Sequence, residues 1–217
     1  MKINKTKIYL WAASLVSSII ILMLIFNYLA YNPAYYDAQF KKLGIYDREP
    51  EADKIANEII QFFKGKDLVT SKLTLNEKNH LADVKKVFGS MRIVLYTLTV
   101  SLLFIFFLII KKLKTRKRLK DFLGNCLIIS SVILLLVILI LSLSLLSFSW
   151  AFENMHELFF PQGNYSFPEE SVLIILFPEQ FFINLIKQNI LNNFIIGIFM
   201  LGLGLLIKGK TGRNQKL

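Results

Sequence analysis

The sequence predicts an all-α membrane protein, a bundle of four transmembrane helices with a small extracytoplasmic helical cap and a re-entrant or interfacial element. Hydrophobic residues make up 54% of the 217-residue chain and charged residues only 19%, and the mean hydropathy is +0.52. A chain this apolar has too much hydrophobic surface for an ordinary soluble domain. Four long apolar runs and an uneven distribution of lysine and arginine complete the prediction.

Each of the four apolar runs is long enough to cross a bilayer, which takes roughly 20 helical residues. The runs are residues 8–30, 93–110, 122–150 and 190–207. They belong to a single membrane domain that covers residues 1–217. The first run is too long for the apolar region of a cleaved signal peptide, so we expect it to be retained as a helix. The third exceeds the bilayer thickness, so it either tilts or emerges at its serine-rich end.

Basic residues are concentrated on one side of the predicted spans. The first seven residues, the loop 111–121 and the tail after residue 207 together hold fourteen basic residues and one acidic residue. Cytoplasmic loops are enriched in lysine and arginine. We therefore expect a multi-pass protein of the cell membrane with both termini in the cytoplasm and the segments 31–91 and 151–189 outside. This bias accounts for the net charge of +11, so we expect no nucleic-acid partner.

The first outer segment contains two predicted helices. In residues 51–63, apolar residues recur at helical spacing opposite charged ones, which is typical of an amphipathic helix. The second helix starts at Thr74, which forms a capping box with Glu77, and it can continue into the second span. His80 lies on its second turn. Asp83 follows three residues later, so both side chains can face the same way.

The second outer segment is rich in acidic and aromatic residues. Glu153 and His156 lie one turn apart on a helical continuation of the third span. A short apolar helix follows over residues 171–177, and Pro178 ends it too early to cross a bilayer. This pattern is typical of a re-entrant or interfacial element, and a lid that packs without touching lipid is the alternative. The residues expected to dock on lipid are Phe159, Phe160, Phe177, Phe181 and Phe182.

The chain has two histidines, His80 and His156, and the charge pattern places both on the same face of the membrane. Imidazole titrates nearest neutral pH, so two imidazoles at one aqueous rim can exchange protons in a transfer reaction. A structural role for each histidine is the plainer alternative. A divalent metal held by both histidines with Asp83 and Glu153 is another. No compact pair of ligands supports it, and we expect no metal and no cofactor.

Five sequence blocks resemble the pattern of a family of small membrane proteins, the lipoprotein intramolecular transacylases. The blocks are NPAYY at 32–36, LGIY at 43–46, HLADVK at 80–85, FENMHELFF at 152–160 and LFPEQFF at 176–182. Their order and spacing match over nearly the whole chain, and the two histidine blocks are the most specific. Three positions depart from the family pattern. Ser171 and Asn184 stand in place of acidic residues, and Glu153 stands in place of an aspartate.

The resemblance implies four helices that carry an outer domain. It also implies transfer of the sn-2 acyl chain of a diacylglyceryl-modified lipoprotein to the α-amine of the same lipidated cysteine. Such a reaction needs a base, an acid and donors for the tetrahedral oxyanion. We expect His80 and His156 to divide the acid and base roles in an order left open, with Asp83 or Glu153 orienting a ring. A covalent acyl-histidine is a variant of this scheme.

Tyr36 and Asn32 are the side chains expected to donate hydrogen bonds to the oxyanion, together with backbone amides near Gly163. The expected partners are the diacylglyceryl lipoprotein substrate and membrane lipid, and the sequence carries no signal for an oligomeric state. A non-catalytic membrane scaffold or lipid-sensing protein stays open as a different class of function. Acyl transfer on another outer-leaflet lipid also stays open. Substitution of the two histidines distinguishes an enzyme from a scaffold, because a scaffold would keep its function without them.

Overall fold

The structure, a computed structural model, describes residues 5–213, with side chains up to residue 209. Lys2 and Lys216, which contribute to the predicted orientation, lie outside the described residues, as do the side chains of Lys210 and Arg213. The described part is helical and contains no strand. Its α-helices are α1 (Lys5–Ala30), α2 (Pro33–Lys42), α3 (Ala52–Phe63), α4 (Leu75–Lys112), α5 (Arg116–Leu143), α6 (Phe148–Phe159), α7 (Val172–Leu176) and α8 (Glu179–Arg213), with 3-10 turns at Ile45–Asp47 and Ser144–Ser147.

Four helical stretches of the described chain are long and apolar enough to cross a membrane. They are Lys5–Ala30, Leu75–Lys112, Arg116–Phe159 and Glu179–Gly209. Apolar runs of this length fold as helices in lipid because a helix satisfies its backbone hydrogen bonds internally. The predicted fold class, an all-α membrane protein with four candidate membrane-spanning helices, is confirmed.

Contacts within the chain divide the described residues into two compact units. The first, the span unit, comprises the described residues up to Ile25, Val94–Ser142 and the described residues from Asn189 onward. Serines link α1 to α5 in this unit. The hydroxyl of Ser18 donates to the carbonyl oxygen of Ser130 at 2.9 Å, and the hydroxyl of Ser130 donates to the carbonyl oxygen of Ser14 at 3.1 Å. Hydrogen bonds of this kind join helices in an apolar environment.

The second unit, the histidine unit, comprises Phe26–Ile93 and Leu143–Gln188. Its core contains side chains from both polar segments of the sequence, and α3 buries the apolar face that its sequence pattern predicts. Buried members of the core include Phe40, Ile55, Ile59, Leu81, Leu173, Leu176 and Phe181. Burial of apolar surface therefore holds together two segments that are far apart in the sequence.

The third apolar run is broken near its serine-rich end. Helix α5 ends at Leu143, a 3-10 turn covers Ser144–Ser147, and α6 begins at Phe148. The hydroxyl of Ser142 donates to the carbonyl oxygen of Leu139 at 2.6 Å, a local bond that competes with regular helical pairing. The run therefore continues as a separate helix, α6, and this helix carries His156.

The short element after α6 belongs to the core of the histidine unit. The side chain of Ser171 caps α7 by accepting a hydrogen bond from the N–H of Ile174 at 3.3 Å. Leu173 and Leu176 of α7 are buried. Of the two interpretations left open for this segment, its burial favours the packed element over one immersed in lipid.

Candidate active site

The two histidines lie face to face within the histidine unit. Their ring centroids are 6.2 Å apart, and the rings are nearly parallel, with an interplanar angle of 20°. His80 lies on the second turn of α4, and His156 lies in the last turn of α6. Each residue is only 9% exposed, so the pair is shielded from most bulk water. The structure thus brings together the two side chains that the sequence predicts to share a reaction.

Aromatic side chains pack against both imidazoles. The ring of Phe160 is 4.9 Å from the ring of His80 and 5.6 Å from the ring of His156. Phe167 lies 5.6 Å from His80, and Phe152 lies 4.1 Å from His156. Apolar walls of this kind exclude water and strengthen electrostatic interactions at the site.

Burial lowers the pKa of both histidines. The imidazole of His156 lowers the pKa of His80 further, while Asn164 and Asp83 oppose that shift. For His156, the hydrogen bond to the carbonyl oxygen of Phe152 opposes the effect of burial on its pKa. Both imidazoles are therefore neutral at neutral pH. Protonation of one disfavours protonation of the other, because like charges repel.

The backbone determines which nitrogen of His156 is free. Its Nδ1 lies 2.8 Å from the carbonyl oxygen of Phe152. A carbonyl oxygen only accepts hydrogen bonds, so the proton of the neutral ring is assigned to Nδ1 and the lone pair to Nε2. Glu153, one of the two predicted orienting groups, is exposed, and the orienting contact comes from the backbone instead.

Asp83, the other predicted orienting group, is bound to side chains of the segment after α6. Its Oδ2 accepts hydrogen bonds from Nε2 of Gln162 at 2.9 Å and from Nδ2 of Asn164 at 2.7 Å. Its Oδ1 accepts from Nζ of Lys86 at 2.8 Å. The Lys86 bond is the largest cause that holds the pKa of Asp83 below its usual range. Nδ1 of His80 is buried and has no hydrogen-bond partner among the described residues.

The two predicted oxyanion donors differ in what they already bind. The hydroxyl of Tyr36 donates to the carbonyl oxygen of Ala30 at 2.8 Å. Asn32 caps α2 through Oδ1, which accepts from the N–H of Ala34 at 3.1 Å, so this bond does not use its Nδ2 donor. Sequence reasoning missed two other phenols, Tyr31 and Tyr35, whose buried hydroxyls have no hydrogen-bond partner among the described residues. Burial raises the pKa of Tyr35 to about 12, so its hydroxyl keeps its proton. The concentration of tyrosines in and next to the NPAYY block was the sequence signal that could have pointed to these two phenols.

Most of the phenylalanines expected to dock on lipid are inside the histidine unit. Phe160 and Phe181 are only 5% and 2% exposed, and Phe177 and Phe182 are partly buried against the core. Contacts between aromatic rings account for this placement, since Phe177, Phe181 and Phe182 contact one another in edge-on and tilted arrangements. Phe159 is 50% exposed.

Within the described residues, no group of three His, Cys, Asp or Glu side chains lies close enough together to hold a metal ion. The four side chains considered as metal ligands from the sequence do not come together in the structure. The two histidines face each other, while Asp83 is bound to two amides and Lys86, and Glu153 is exposed.

The fold defines an integral membrane protein in which two buried imidazoles lie next to each other. The family model of the lipoprotein intramolecular transacylase Lit matches residues 11–182. The chain belongs to this family, which is a family of membrane enzymes. No curated protein matches the chain.

Solved structures of the membrane-integral Lit from Bacillus cereus share the fold. One in meso structure superposes with a TM-score of 0.82 at 20% identity and covers 97% of this chain and 99% of that chain. A variant with a histidine-to-arginine mutation gives 0.77 at 18% identity and covers 97% and 95% of the two chains. A histidine-to-alanine variant gives 0.77 at 19% identity and covers 97% and 96%.

Proposed function

We propose that this protein moves the sn-2 acyl chain of a diacylglyceryl-modified lipoprotein to the α-amine of its N-terminal cysteine. Membership of the transacylase family supports this reaction. The observation that carries it is the facing pair of buried imidazoles, with ring centroids 6.2 Å apart. Imidazole nitrogens donate and accept in the plane of the ring, so an ester and an amine bound along the edges of these two neighbouring rings can contact both residues.

In the proposed mechanism, Nε2 of His156 acts as the base because its Nδ1 is committed to the backbone. It takes a proton from the α-amine as the nitrogen attacks the carbonyl carbon of the ester. The tetrahedral intermediate then loses the glycerol oxygen. The proton passes from His156 to His80, which donates it to the leaving alkoxide, so both imidazoles end neutral. Because ester and amine belong to one molecule, holding them together lowers the barrier further.

The oxyanion of the tetrahedral intermediate needs donors that are not already in use. The hydroxyls of Tyr31 and Tyr35 meet this condition among the described residues. The hydroxyl of Tyr36 is engaged with Ala30, so we propose that Tyr36 positions this tyrosine cluster. Asn32 caps α2 through Oδ1, so its Nδ2 stays a candidate donor. The Tyr36 ring lies 6.3 Å from that of Tyr35. Asp83 and Glu153 receive no direct role at the ring nitrogens.

We further propose that the histidine unit lies on the extracytoplasmic face and that both termini lie in the cytoplasm. The loop 111–121 holds seven basic residues and one acidic residue, a bias that favours the cytoplasmic side. The proposed spans are those of the sequence, with the third ending near Leu143, where α5 ends. The segments 31–91 and 151–189 then form the outer part.

An exposed apolar stripe on α6 supports access from the outer leaflet. Met155, Leu158 and Phe159 recur at helical spacing and are 38%, 75% and 50% exposed. On the same helix, Phe148 and His156 are buried. A helix with one apolar face packed and another exposed is suited to lie at a membrane surface. We propose that this stripe, including Phe159, contacts outer-leaflet lipid.

Mass spectrometry of a co-expressed diacylated lipoprotein tests the function. In cells that lack other N-acylating enzymes, the protein is expected to produce an N-acyl, lyso-glyceryl cysteine. The variants His80→Ala and His156→Ala are expected to lose about a hundredfold or more in rate, as removal of acid–base groups does. The exposed neighbours on the same helices give the control variants Asn79→Ala and Glu157→Ala.

An unchanged diacyl terminus with well-expressed protein would overturn the proposed substrate and point to another outer-leaflet lipid or to a scaffold. N-acylation that persists in both histidine variants would keep the activity and reject the histidine mechanism. Accumulation of an acyl-protein in His80→Ala would indicate the covalent variant at His156.

A further inference from the structure

We infer that Asp83 is a positioning residue that holds the segment 160–167 against the two imidazoles, acting through Gln162 and Asn164. The catalytic consequence of this contact rests on the proposed function. The contact itself does not rest on the proposed function, because these hydrogen bonds form when the chain folds, whatever reaction the protein catalyses.

The contact is a compact set of side-chain hydrogen bonds. One oxygen of Asp83 accepts from both amides, at 2.9 Å from Gln162 and at 2.7 Å from Asn164. Gln162 also donates to Oδ1 of Asn164 at 3.2 Å. Hydrogen bonds to an ionised carboxylate are stronger than those between neutral groups. The other oxygen of Asp83 is bound to Lys86, which keeps the carboxylate charged.

The backbone of the segment is shaped for this arrangement. The N–H of Gly163 donates to the carbonyl oxygen of Phe160 at 2.9 Å, which closes a turn directly after α6. Gly163 has a φ of 73°, a left-handed conformation that glycine adopts at little cost. The glycine stands between Gln162 and Asn164, and both flanking amides reach the same oxygen of Asp83.

The segment carries three rings that contact the histidines. Phe160 contacts both imidazoles, Phe167 lies 5.6 Å from His80, and Tyr165 lies 5.1 Å from His156. Asp83 lies one helical turn from His80 on α4. Its hydrogen bonds to the amides therefore hold the segment 160–167 in place, and the rings of this segment contact both histidines. Release of the amides would let water reach both imidazoles.

A direct role for Asp83 makes the opposite prediction. A carboxylate that acts on His80 by charge alone stabilises the protonated ring, so its removal lowers the pKa of His80 and leaves His156 nearly unchanged. Displacement of the segment 160–167 exposes both imidazoles to water, so the pKa of each loses the lowering that burial causes and rises toward that of an exposed histidine. The charged and titratable groups in contact with this site are Lys86, Tyr165 and the two histidines themselves.

The experiment is NMR of the full-length protein in detergent with isotope-labelled histidine. The chain has two histidines, so two imidazole spin systems are expected, and His80→Ala and His156→Ala assign them. In Gln162→Ala, both histidine pKa values are expected to rise by about half a unit or more. Asp83→Asn and Asn164→Ala also remove groups that raise the pKa of His80, so in these two variants the rise is expected at His156. Lys86→Ala, which leaves both amide bonds intact, is expected to leave both pKa values unchanged.

A fall in the pKa of His80 alone in Asp83→Asn would overturn the inference in favour of direct charge pairing. Unchanged pKa values in Gln162→Ala and Asn164→Ala would overturn it as well, and these two variants do not depend on how well Asp83→Asn folds. The titration needs no turnover, so this inference can hold even where no N-acyl product forms. Where the product does form, Gln162→Ala and Asn164→Ala are expected to move the enzyme's acid limb of kcat/KM to higher pH, which a merely stabilising contact would not do.

Discussion

The carboxylate of Glu77 accepts a hydrogen bond from the backbone N–H of Leu173 at 2.9 Å. Its other oxygen accepts from the backbone N–H and the hydroxyl of Thr74, at 2.7 and 2.8 Å. One buried side chain therefore caps the helix that carries His80 and joins it to α7 in the second polar segment. This link between distant parts of the sequence helps to set the frame on which the histidines meet.

Substitution of Glu77 should destabilise the histidine unit. In Glu77→Gln the amide group would face backbone N–H donors, and at least one of these buried donors would lose its acceptor, at a cost of about 1–3 kcal/mol. Thermal unfolding in detergent measures the change, and Asn76→Ala, an exposed neighbour on the same turn, is the control. A melting temperature equal to that of the unsubstituted protein would show that Glu77 does not join the two segments.

The pH dependence of turnover should reflect the lowered histidine pKa values. The ordinary pKa of histidine is 6.5, and burial lowers it for both His80 and His156. A base with a lowered pKa stays neutral into mildly acidic solution. The enzyme's contribution to the acid limb of kcat/KM is therefore expected below pH 6.5. It is measured with a lipopeptide substrate in detergent over a range of buffers, after correction for the separately titrated α-amine of the substrate, whose ordinary pKa is about 7.7–8.0. A corrected acid limb clearly above pH 6.5 would contradict the assignment of a buried, neutral pair.

Two glycines of α8 should respond differently to alanine. A Cβ at Gly204 would lie 2.9 Å from the carbonyl oxygen of Gly124 on α5, whereas one at Gly202 meets nothing within 4 Å. Both positions are within a helix, where alanine is favoured over glycine by about 1 kcal/mol. Gly204→Ala is expected to lower the melting temperature, while Gly202→Ala should leave it unchanged or raise it. Equal behaviour would mean that α5 and α8 do not approach as closely as described.

The exposed stripe of α6 should affect substrate access more than chemistry. Leu158→Ser and Phe159→Ser remove apolar surface without touching the histidines, so the apparent KM for a liposome-embedded lipopeptide is expected to rise with kcat nearly unchanged. Glu157→Ser, on the same turn, is the polar control. A fall in kcat at unchanged KM would place these residues in the reaction rather than at the membrane surface.

Local patterns were sufficient for several elements. The capping box of Thr74 and Glu77 was predicted from spacing and is present. The amphipathic pattern of 51–63 predicted a helix that the structure has as Ala52–Phe63. Capping and periodicity depend on residues three or four apart, so they can be recognised without knowing the fold.

Contacts between distant segments were harder to predict. Asp83 was expected to orient a histidine ring, but it binds Gln162 and Asn164 instead. Phe160 and Phe181 were expected at lipid and are buried. In each case the partner is supplied by a segment far away in the sequence, and periodicity does not show which face that segment covers.

The sequence by itself determined the class of this protein, because apolar runs of span length, the uneven distribution of basic residues and the histidine blocks are properties of the chain alone. Tertiary structure decided how the site is built. Packing between segments determines that His80 and His156 lie next to each other. It also determines which groups Asp83 binds and the setting in which a backbone contact leaves Nε2 of His156 free. A hydrogen bond forms only within a few tenths of an ångström of its preferred distance, and it is packing that sets positions this closely.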